Sequence, residues 1–377
     1  MGIASRSEIK PGIDGGNALT AIVVPLTIRE VSQLECLFFL WGLWALVGRA
    51  AGETGPAEIR LILSLDREPG PELEEAIADA YAHYGLAGIF SGCAVNYCHI
   101  SREENIYVRV GQKPPEKIPP LGLKSGPNTL FFRSLSQFCD GQKTVLLNEV
   151  DCFPVRPDWI GRLQRLVAGS EPFWVLGSPY RGWGRLGPEI LGHVNGNALY
   201  GVGAPGFKAF LEDWERSLAE SVKRNPDLAY DIFLSYRHAP LFDPARWGQA
   251  PLELFKSLQE TLCRIRYTSL IHNLAGEEEI SGRRRVDLKS YLPEHPEVTL
   301  VHGRFLRRQV LQKALGEVRG LMANGAPARH ALGDYLVDAS RRLLDRDNLE
   351  ASKEIMKVFK EAEPEPAVAT EPDRPVA

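Results

Sequence analysis

The period of apolar and polar positions changes repeatedly along the chain. "ALTAIVVPLT" is apolar almost throughout and rich in β-branched residues, the pattern of a buried strand. Thr27 and Glu30 follow in the T-x-x-E spacing of a capping box. Apolar residues at 31, 34, 37, 38, 41 and 44 then predict a helix. "EIRLILSLD" predicts a second strand ending at Asp66, "PELEEAIADAYAHYG" a helix, and "GCAVNYCHI" a third strand. The alternation continues with a helix over "GPNTLFFRSLSQFC", the strand "TVLLN", and a helix starting just after Pro157. Strands in "PFWVLGSPY" and "VNGNALYGVG" come next, and "APGFKAFLEDWERSLAESVKRN" reads as a long amphipathic helix. Asp231 stands at a helix start in "LAYDIFLSYRH", while "CRIRYTSLIHNL" and "PEVTLVHG" predict the last strands. Strands alternating with helices predict an α/β fold with a mostly parallel central sheet flanked by helices.

Four segments follow from this pattern. Residues 1–17 are expected to form a flexible arm and 18–305 the main domain. Residues 306–360, polar with charges of both signs, predict a helical C-terminal extension that offers a surface for oligomer formation. Residues 361–377 are rich in Pro, Ala and Glu and predict a disordered tail. No internal repeat is visible.

Composition narrows the partners. A net charge of −4 gives a nucleic-acid partner no electrostatic support, and the basic run around Arg283 reads as a solvated loop. Six cysteines are scattered without a CxxC pair, which predicts reduced thiols in a cytoplasmic protein. Cys93, Cys98 and His99 match no common zinc spacing. "MGIASRSEIKPGIDGG" lacks the apolar core of a secretory leader, and Arg6 stands where a myristoylation signal needs Ser or Thr. The apolar run Leu34–Gly48 spans fifteen residues and carries Glu35, so it is expected to be a buried helix too short to cross a bilayer. A soluble protein is expected, with peripheral membrane contact left open.

The chemistry concentrates in "TVLLNEVDCFPVRP", where an apolar strand ends in Glu149 and Asp151. Ligands of open α/β sheets gather at the carboxyl ends of strands. The E-x-D spacing puts both carboxylates on one side of an extended segment, where hard oxygen donors suit Mg²⁺ or Mn²⁺ carrying phosphate. A capped strand end with solvated acids is the other reading. In "GHVNGNALYGVG", Asn195 and Asn197 flank Gly196, which fits either a site for sugar hydroxyls or an Asn-Gly turn.

The early "VVP" strand, the Asp ending the second strand and the acidic x-D motif after the fourth resemble nucleotide-sugar-dependent glycosyltransferases of the GT-A fold. The resemblance covers roughly residues 18–305, and "LLNEVDC" is similar to that fold's DxD motif with Glu in first place. It implies that Asp151 coordinates a metal on the sugar-nucleotide diphosphate and that Glu149 contacts the ribose or the metal. His302, at the end of the last apolar strand in "TLVHG", would be a further metal ligand. Pro25 and Thr27 would seat base and ribose, and Asp66 would meet the nucleobase edge. Lys124 and Arg133 would meet phosphate, Asn128 would donate to the nucleotide or sugar, and Asn195 and Asn197 would hold donor sugar and acceptor. Asp231 would deprotonate the acceptor hydroxyl, which favours inversion. From the residues alone, Lys124 and Arg133 are also solvated cations, His302 a structural histidine and Asp231 a helix N-cap.

The implied activity is metal-dependent transfer of a sugar from a nucleoside-diphosphate sugar to a hydroxyl of a glycan or glycolipid acceptor, as in polysaccharide biosynthesis. Two alternatives stay open. A sugar nucleotidyltransferase would carry a Gly-rich Arg/Lys signature that "VVPLTIREVSQL" lacks. A non-catalytic carbohydrate- or nucleotide-binding protein on the same scaffold is kept open by Glu in place of Asp. "GWGRLG" satisfies GxGxxG by letter only, since Pro188 follows; it reads as a loop over the donor site with Trp183 free to stack.

Overall fold

Strand β1 (Leu19–Leu26) sends alternate side chains into two different cores, as a pleated strand must. Ile22, Val24 and Leu26 face one, and Ala21 and Val23 the other. The computed structural model describes residues 17–52, 57–109, 111–181, 193–238, 252–274, 286–323, 329–345, 352–353 and 355–357. Outside the described residues lie nearly all of the expected N-terminal arm, the "GWGRLG" segment with Trp183, the basic run at Arg283 and the C-terminal tail.

The central sheet has the order β3-β2-β1-β4-β7-β6-β8. β2 (Ala57–Leu65), β3 (Phe90–Tyr97) and β4 (Thr144–Leu147) run parallel to β1's line of strands. β7 (Leu199–Tyr200) is antiparallel to both β4 and β6 (Val175–Gly177), and β8 (Ile265–Tyr267) is parallel to β6. The fold is therefore α/β with a mostly parallel sheet.

Helices α1 (Val31–Ala50), α2 (Pro71–His83) and α4 (Trp159–Gly169) contribute to the first core. α3 (Ser125–Ser136), α5 (Phe207–Ser221) and α6 (Tyr230–His238) build the second around Phe131, Trp214 and Tyr230. α7 (Leu252–Cys263) leads into β8, and α8 (Leu288–Glu294) precedes the last strand. α9 (Arg307–Ala323) and α10 (Arg329–Asp345) bury Val310, Leu315, Leu332 and Leu336 in the same core as α1. These apolar positions of the C-terminal helices are thus spent within the chain.

The chain builds β1, β2 and β3 outward in one direction, then returns to place β4 on the other side of β1. Such a switch point opens a crevice beyond the strand ends. Pro25 marks where it opens. β4 stays in register with β1 only as far as the pairing of Val23 with Leu147. The Val23 carbonyl accepts from Asn148 N–H on the β4 side, so the nitrogen of Pro25, two residues on, faces the side β4 has left. Proline is tolerated in this central strand because no hydrogen bond is asked of it there. Beyond it the expected capping box is present: Thr27 N–H and hydroxyl both donate to Glu30 Oε2, at 2.8 and 2.9 Å.

A second, three-stranded sheet has the order β5-β10-β9, formed by β5 (Cys152–Pro154), β9 (Ile271–Asn273) and β10 (Leu300–His302). "CRIRYTSLIHNL", expected to be one strand, is split between the two sheets. Thr268 N–H caps the Gly177 carbonyl at 2.7 Å and its hydroxyl accepts from Leu270 N–H at 3.1 Å, which turns the chain between β8 and β9.

The expectation for the apolar run needs correcting on length. The continuous helical stretch Ile28–Ala50 has 23 residues and meets the length and composition of a membrane span, yet 78% of its apolar window is buried inside the protein. Its sides are covered by specific partners. Trp41 stacks on Trp159 with centroids 5.5 Å apart, Phe39 stacks on Tyr335 at 5.8 Å, and Trp44 Nε1 donates to the Pro154 carbonyl at 2.9 Å.

Candidate metal centre

The link from Asn148 to Asp151 carries the chain from the end of β4 into β5 and so from one sheet to the other. Buried Asn148 holds it, donating from its side-chain amide to the carbonyls of Glu149 and Cys152, both at 3.0 Å. Register supplies the third member. β5 pairs Cys152 with His302, and β9 pairs Asn273 with the same histidine. His302 is thereby held between the strand that follows Asp151 and the strand that ends in Asn273.

The result is a convergence of two carboxylates and an imidazole. His302 Nε2 lies 3.4 Å from Glu149 Oε2 and 3.3 Å from Asp151 Oδ1. The three ligand atoms offered lie within 4.8 Å of one another. Glu149 and Asp151 side chains are 36% and 27% exposed while His302 is 10% exposed, so a solvated ion can reach the group from the carboxylate side. On the far side His302 Nδ1 is 3.0 Å from Asn273 Oδ1. An amide oxygen only accepts, so Nδ1 carries the hydrogen and Nε2 is the nitrogen left to ligate. Two hard oxygens and one such imidazole fit a divalent cation such as Mn²⁺ or Mg²⁺.

Electrostatics point the same way. Burial and the neighbouring Asp151 push the Glu149 carboxyl up to about 7, against the pull of His302 and Asn197. Burial by itself would lower His302, but hydrogen-bonded Asp151, with Glu149 and Asp231, outweighs it and pushes His302 up to about 9. In the metal-free chain the histidine therefore keeps a proton between the carboxylates. The site calls for positive charge.

Asn195 and Asn197, expected to hold donor sugar and acceptor, are bonded to this group. β4 and β7 pair Leu146 with Leu199, and Leu147 N–H donates to the Ala198 carbonyl at 3.0 Å, which carries Asn197 to the side of Glu149. Asn197 Oδ1 accepts from Glu149 N–H at 2.7 Å, and its Nδ2 donates to Glu149 Oε2 at 2.8 Å. Asn195 Oδ1 accepts from both Asn197 N–H and Asn197 Nδ2, at 3.0 and 2.8 Å. Gly196 is needed for packing: a Cβ there would lie 1.7 Å from the Tyr230 hydroxyl.

Asp231 lies in the first turn of α6, directly after Tyr230. Its Oδ1 accepts from Ile232 N–H at 2.8 Å, and its Oδ2 is 3.6 Å from Nε2 of buried His193. Its charge contributes to the upward shifts of Glu149 and His302.

Other expected site residues are committed elsewhere. Asn128 is fully buried; its amide donates to the Leu121 and Leu228 carbonyls, both at 3.0 Å, and its oxygen accepts from Tyr230 N–H at 2.9 Å. Both of its donors are used, so it anchors the start of α6 rather than a nucleotide. Arg133 donates to the Cys98 and His99 carbonyls and to Glu104 at 2.7 Å, and Lys124 donates to the Val108 carbonyl at 2.6 Å. Asp66, 2% exposed, accepts from Ile28 N–H and from Asn105, which ties the start of α1 to the loop after β3. Thr27 is taken up in its capping box, and Pro25 borders the crevice.

Three residues of the centre were not singled out by the sequence: Asn273, which fixes the histidine tautomer, Asn148, which braces the link, and His193 beside Asp231. A polar Asn ending the apolar run "LIHNL" was the one available signal for the first.

No protein-family profile and no curated protein sequence matches the chain. Solved structures do resemble it. Mouse xyloside xylosyltransferase 1 aligns over 76% of this chain and 97% of its own, at 12% identity and a TM-score of 0.38. The WbbM bifunctional glycosyltransferase aligns over 87% of this chain and 53% of its own, at 8% identity and a TM-score of 0.41. Glucosyl-3-phosphoglycerate synthase from Mycobacterium tuberculosis, solved with Mn²⁺, UDP and glucosyl-3-phosphoglycerate, aligns over 80% of each chain at 14% identity and a TM-score of 0.30. Likenesses this loose do not carry an activity over to this chain.

Proposed function

We propose that the chain is a metal-dependent glycosyltransferase that moves a sugar from a nucleoside-diphosphate donor to a hydroxyl of a glycan or glycolipid acceptor. The observation that supports this best is the meeting of Glu149, Asp151 and His302 Nε2 at the sheet's switch point. A divalent ion bound there would neutralise charge developing on the departing diphosphate.

The chain's own residues divide the remaining work. Asp151 and Glu149 supply the oxygens, and Asn273 keeps Nε2 of His302 turned toward them. Pro25 and Thr27, at the mouth of the crevice between β1 and β4, border the nucleoside end. Asp231, held by Ile232 N–H and faced by His193, takes the proton from the acceptor hydroxyl as that oxygen attacks the anomeric carbon. A base in this place favours inversion at the anomeric carbon.

Calorimetric titration of UDP and GDP, with and without Mn²⁺, followed by turnover on a panel of sugar donors, tests the reading. Nucleotide should bind measurably only with Mn²⁺ present, and Asp151→Ala should abolish both that binding and transfer. Nucleotide affinity indifferent to Mn²⁺, or full transfer by Asp151→Ala, would refute it.

A further inference from the structure

Asn197 grips Glu149 twice, once by the main chain and once by the carboxylate, and Asn195 in turn fixes both hydrogens that Asn197 offers it. Asn197 is fully buried and Asn195 is 8% exposed, so both amides sit almost wholly within the protein. Placing such groups in the interior is costly unless each hydrogen bond is made. Four are made here, two between Asn197 and Glu149 and two between Asn197 and Asn195.

The grip falls on a particular oxygen. Glu149 Oε2 is the one that faces His302 Nε2, and it is also the one that takes the Asn197 amide hydrogen. A carboxylate oxygen has two lone pairs, so one remains directed at the centre. Glutamate has one methylene and one rotatable bond more than aspartate, and left free it would spread its carboxylate over several positions. Asn197 removes that freedom.

We propose that Asn197, locked by Asn195, is the positioning residue that sets the Glu149 carboxylate for a divalent cation. This rests on the reading of Glu149, Asp151 and His302 as a metal centre. Outer partners of metal ligands typically alter metal affinity by about 10–100-fold when removed.

The test uses Mn²⁺ alone as the probe, with the full chain and electron paramagnetic resonance of the free ion to count what is bound. Asn197→Ala is expected to weaken Mn²⁺ binding by about 10–100-fold, and Asn195→Ala to weaken it by less. Asn197→Leu, which keeps the side-chain volume, should match Asn197→Ala in its loss, and melting curves in the absence of metal identify any variant that fails to fold. The decisive comparison is a double-mutant cycle. Glu149→Gln already lacks the charged carboxylate, so adding Asn197→Ala to it should cost no further Mn²⁺ affinity. Additive losses would overturn the proposal, because Asn197 would then act by a route other than Glu149. Wild-type Mn²⁺ affinity in folded Asn197→Leu would overturn it too, while loss of binding in Asp151→Asn leaves the metal centre standing. If the wild-type chain binds no Mn²⁺, the metal centre itself is refuted and this inference goes with it.

Discussion

Replacing Arg342 by Met should destabilise the protein far more than a charge near the end of the chain would suggest. Arg342 sits on α10, with its side chain 14% exposed, against Glu35 on α1, whose side chain is 8% exposed. Its Nη2 reaches Glu35 Oε1 at 3.0 Å and its Nε reaches Oε2 at 3.1 Å, a side-on pairing, while Nη1 donates to Asp79 at 2.6 Å. Asp79 is 62% exposed and its share is small, as for other surface pairs. Glu35 is another matter, because its side chain is buried beside Tyr84 and has the guanidinium as its counter-charge. Methionine keeps most of the volume and removes the charge, leaving a buried carboxylate uncompensated. Breaking a buried pair in this way costs about 3–5 kcal/mol. The double variant Glu35→Leu/Arg342→Met removes both charges, and should lie within about 1 kcal/mol of wild type or above it. Urea unfolding of the four proteins, followed by tryptophan fluorescence, measures the cycle. A cost below about 1 kcal/mol for Arg342→Met, or a double variant as unstable as the sum of the singles, would refute the reasoning.

Three further outcomes are expected. Gly196→Ala drives a methyl group into the Tyr230 hydroxyl, and Tyr230 is pinned by its stack on Phe131 with centroids 3.8 Å apart, so a loss of about 1–3 kcal/mol is expected. Adding Tyr230→Phe should recover part of it, and an unchanged melting temperature in Gly196→Ala would contradict the packing described. Mn²⁺ affinity should rise with pH, because the ion needs neutral His302 and ionised Glu149, whose protons are held up to about 9 and about 7. Calorimetry in buffers of different ionisation enthalpy should show proton release on binding; a flat affinity between pH 6.5 and 8.5 would count against His302 as a ligand. Fully buried His272, 2.7 Å from the Tyr291 hydroxyl, is pushed down to about 4 by burial, then by Arg181 and His295. Its unfolded form takes a proton first, so stability present above pH 6.5 is lost as pH falls toward 4, by up to about 3 kcal/mol. His272→Gln should flatten that dependence in urea midpoints measured across the range, and an unaltered slope would remove His272 from the account.

The architecture was legible where a local rule governed it. "AIVVP" and "RLILSL" could be read as buried strands because helices cover both faces of a parallel sheet, and the Thr27–Glu30 box because its bonds span three residues. Glu149 and Asp151 were legible for the same reason, being neighbours in one strand-end. His302 joins them only through the register of a second sheet, which no local spacing encodes, and its partner Asn273 comes from yet another strand. Polar residues at the crevice end of the domain are bonded within the protein in a consistent way. Asn128, Arg133, Asn195 and Asn197 have the chemistry of ligand contacts, but the turns and helix starts around them leave backbone carbonyls and N–H groups that need partners first. Which demand an amide meets is settled by three-dimensional neighbours, and sequence does not rank them.

The cover over α1 comes from the opposite end of the chain, and that has a consequence for synthesis. Tyr335, Leu336 and Arg342 are made nearly three hundred residues after Phe39 and Glu35. At ribosomal speeds of about 5–20 residues per second, this leaves an interval of roughly 15–60 s. Through that time the nascent polypeptide carries a partly uncovered apolar helix of membrane-spanning length, attractive to chaperones and to targeting factors alike. Emergence of α10, rather than of the sheet, is the moment at which this helix acquires its full cover.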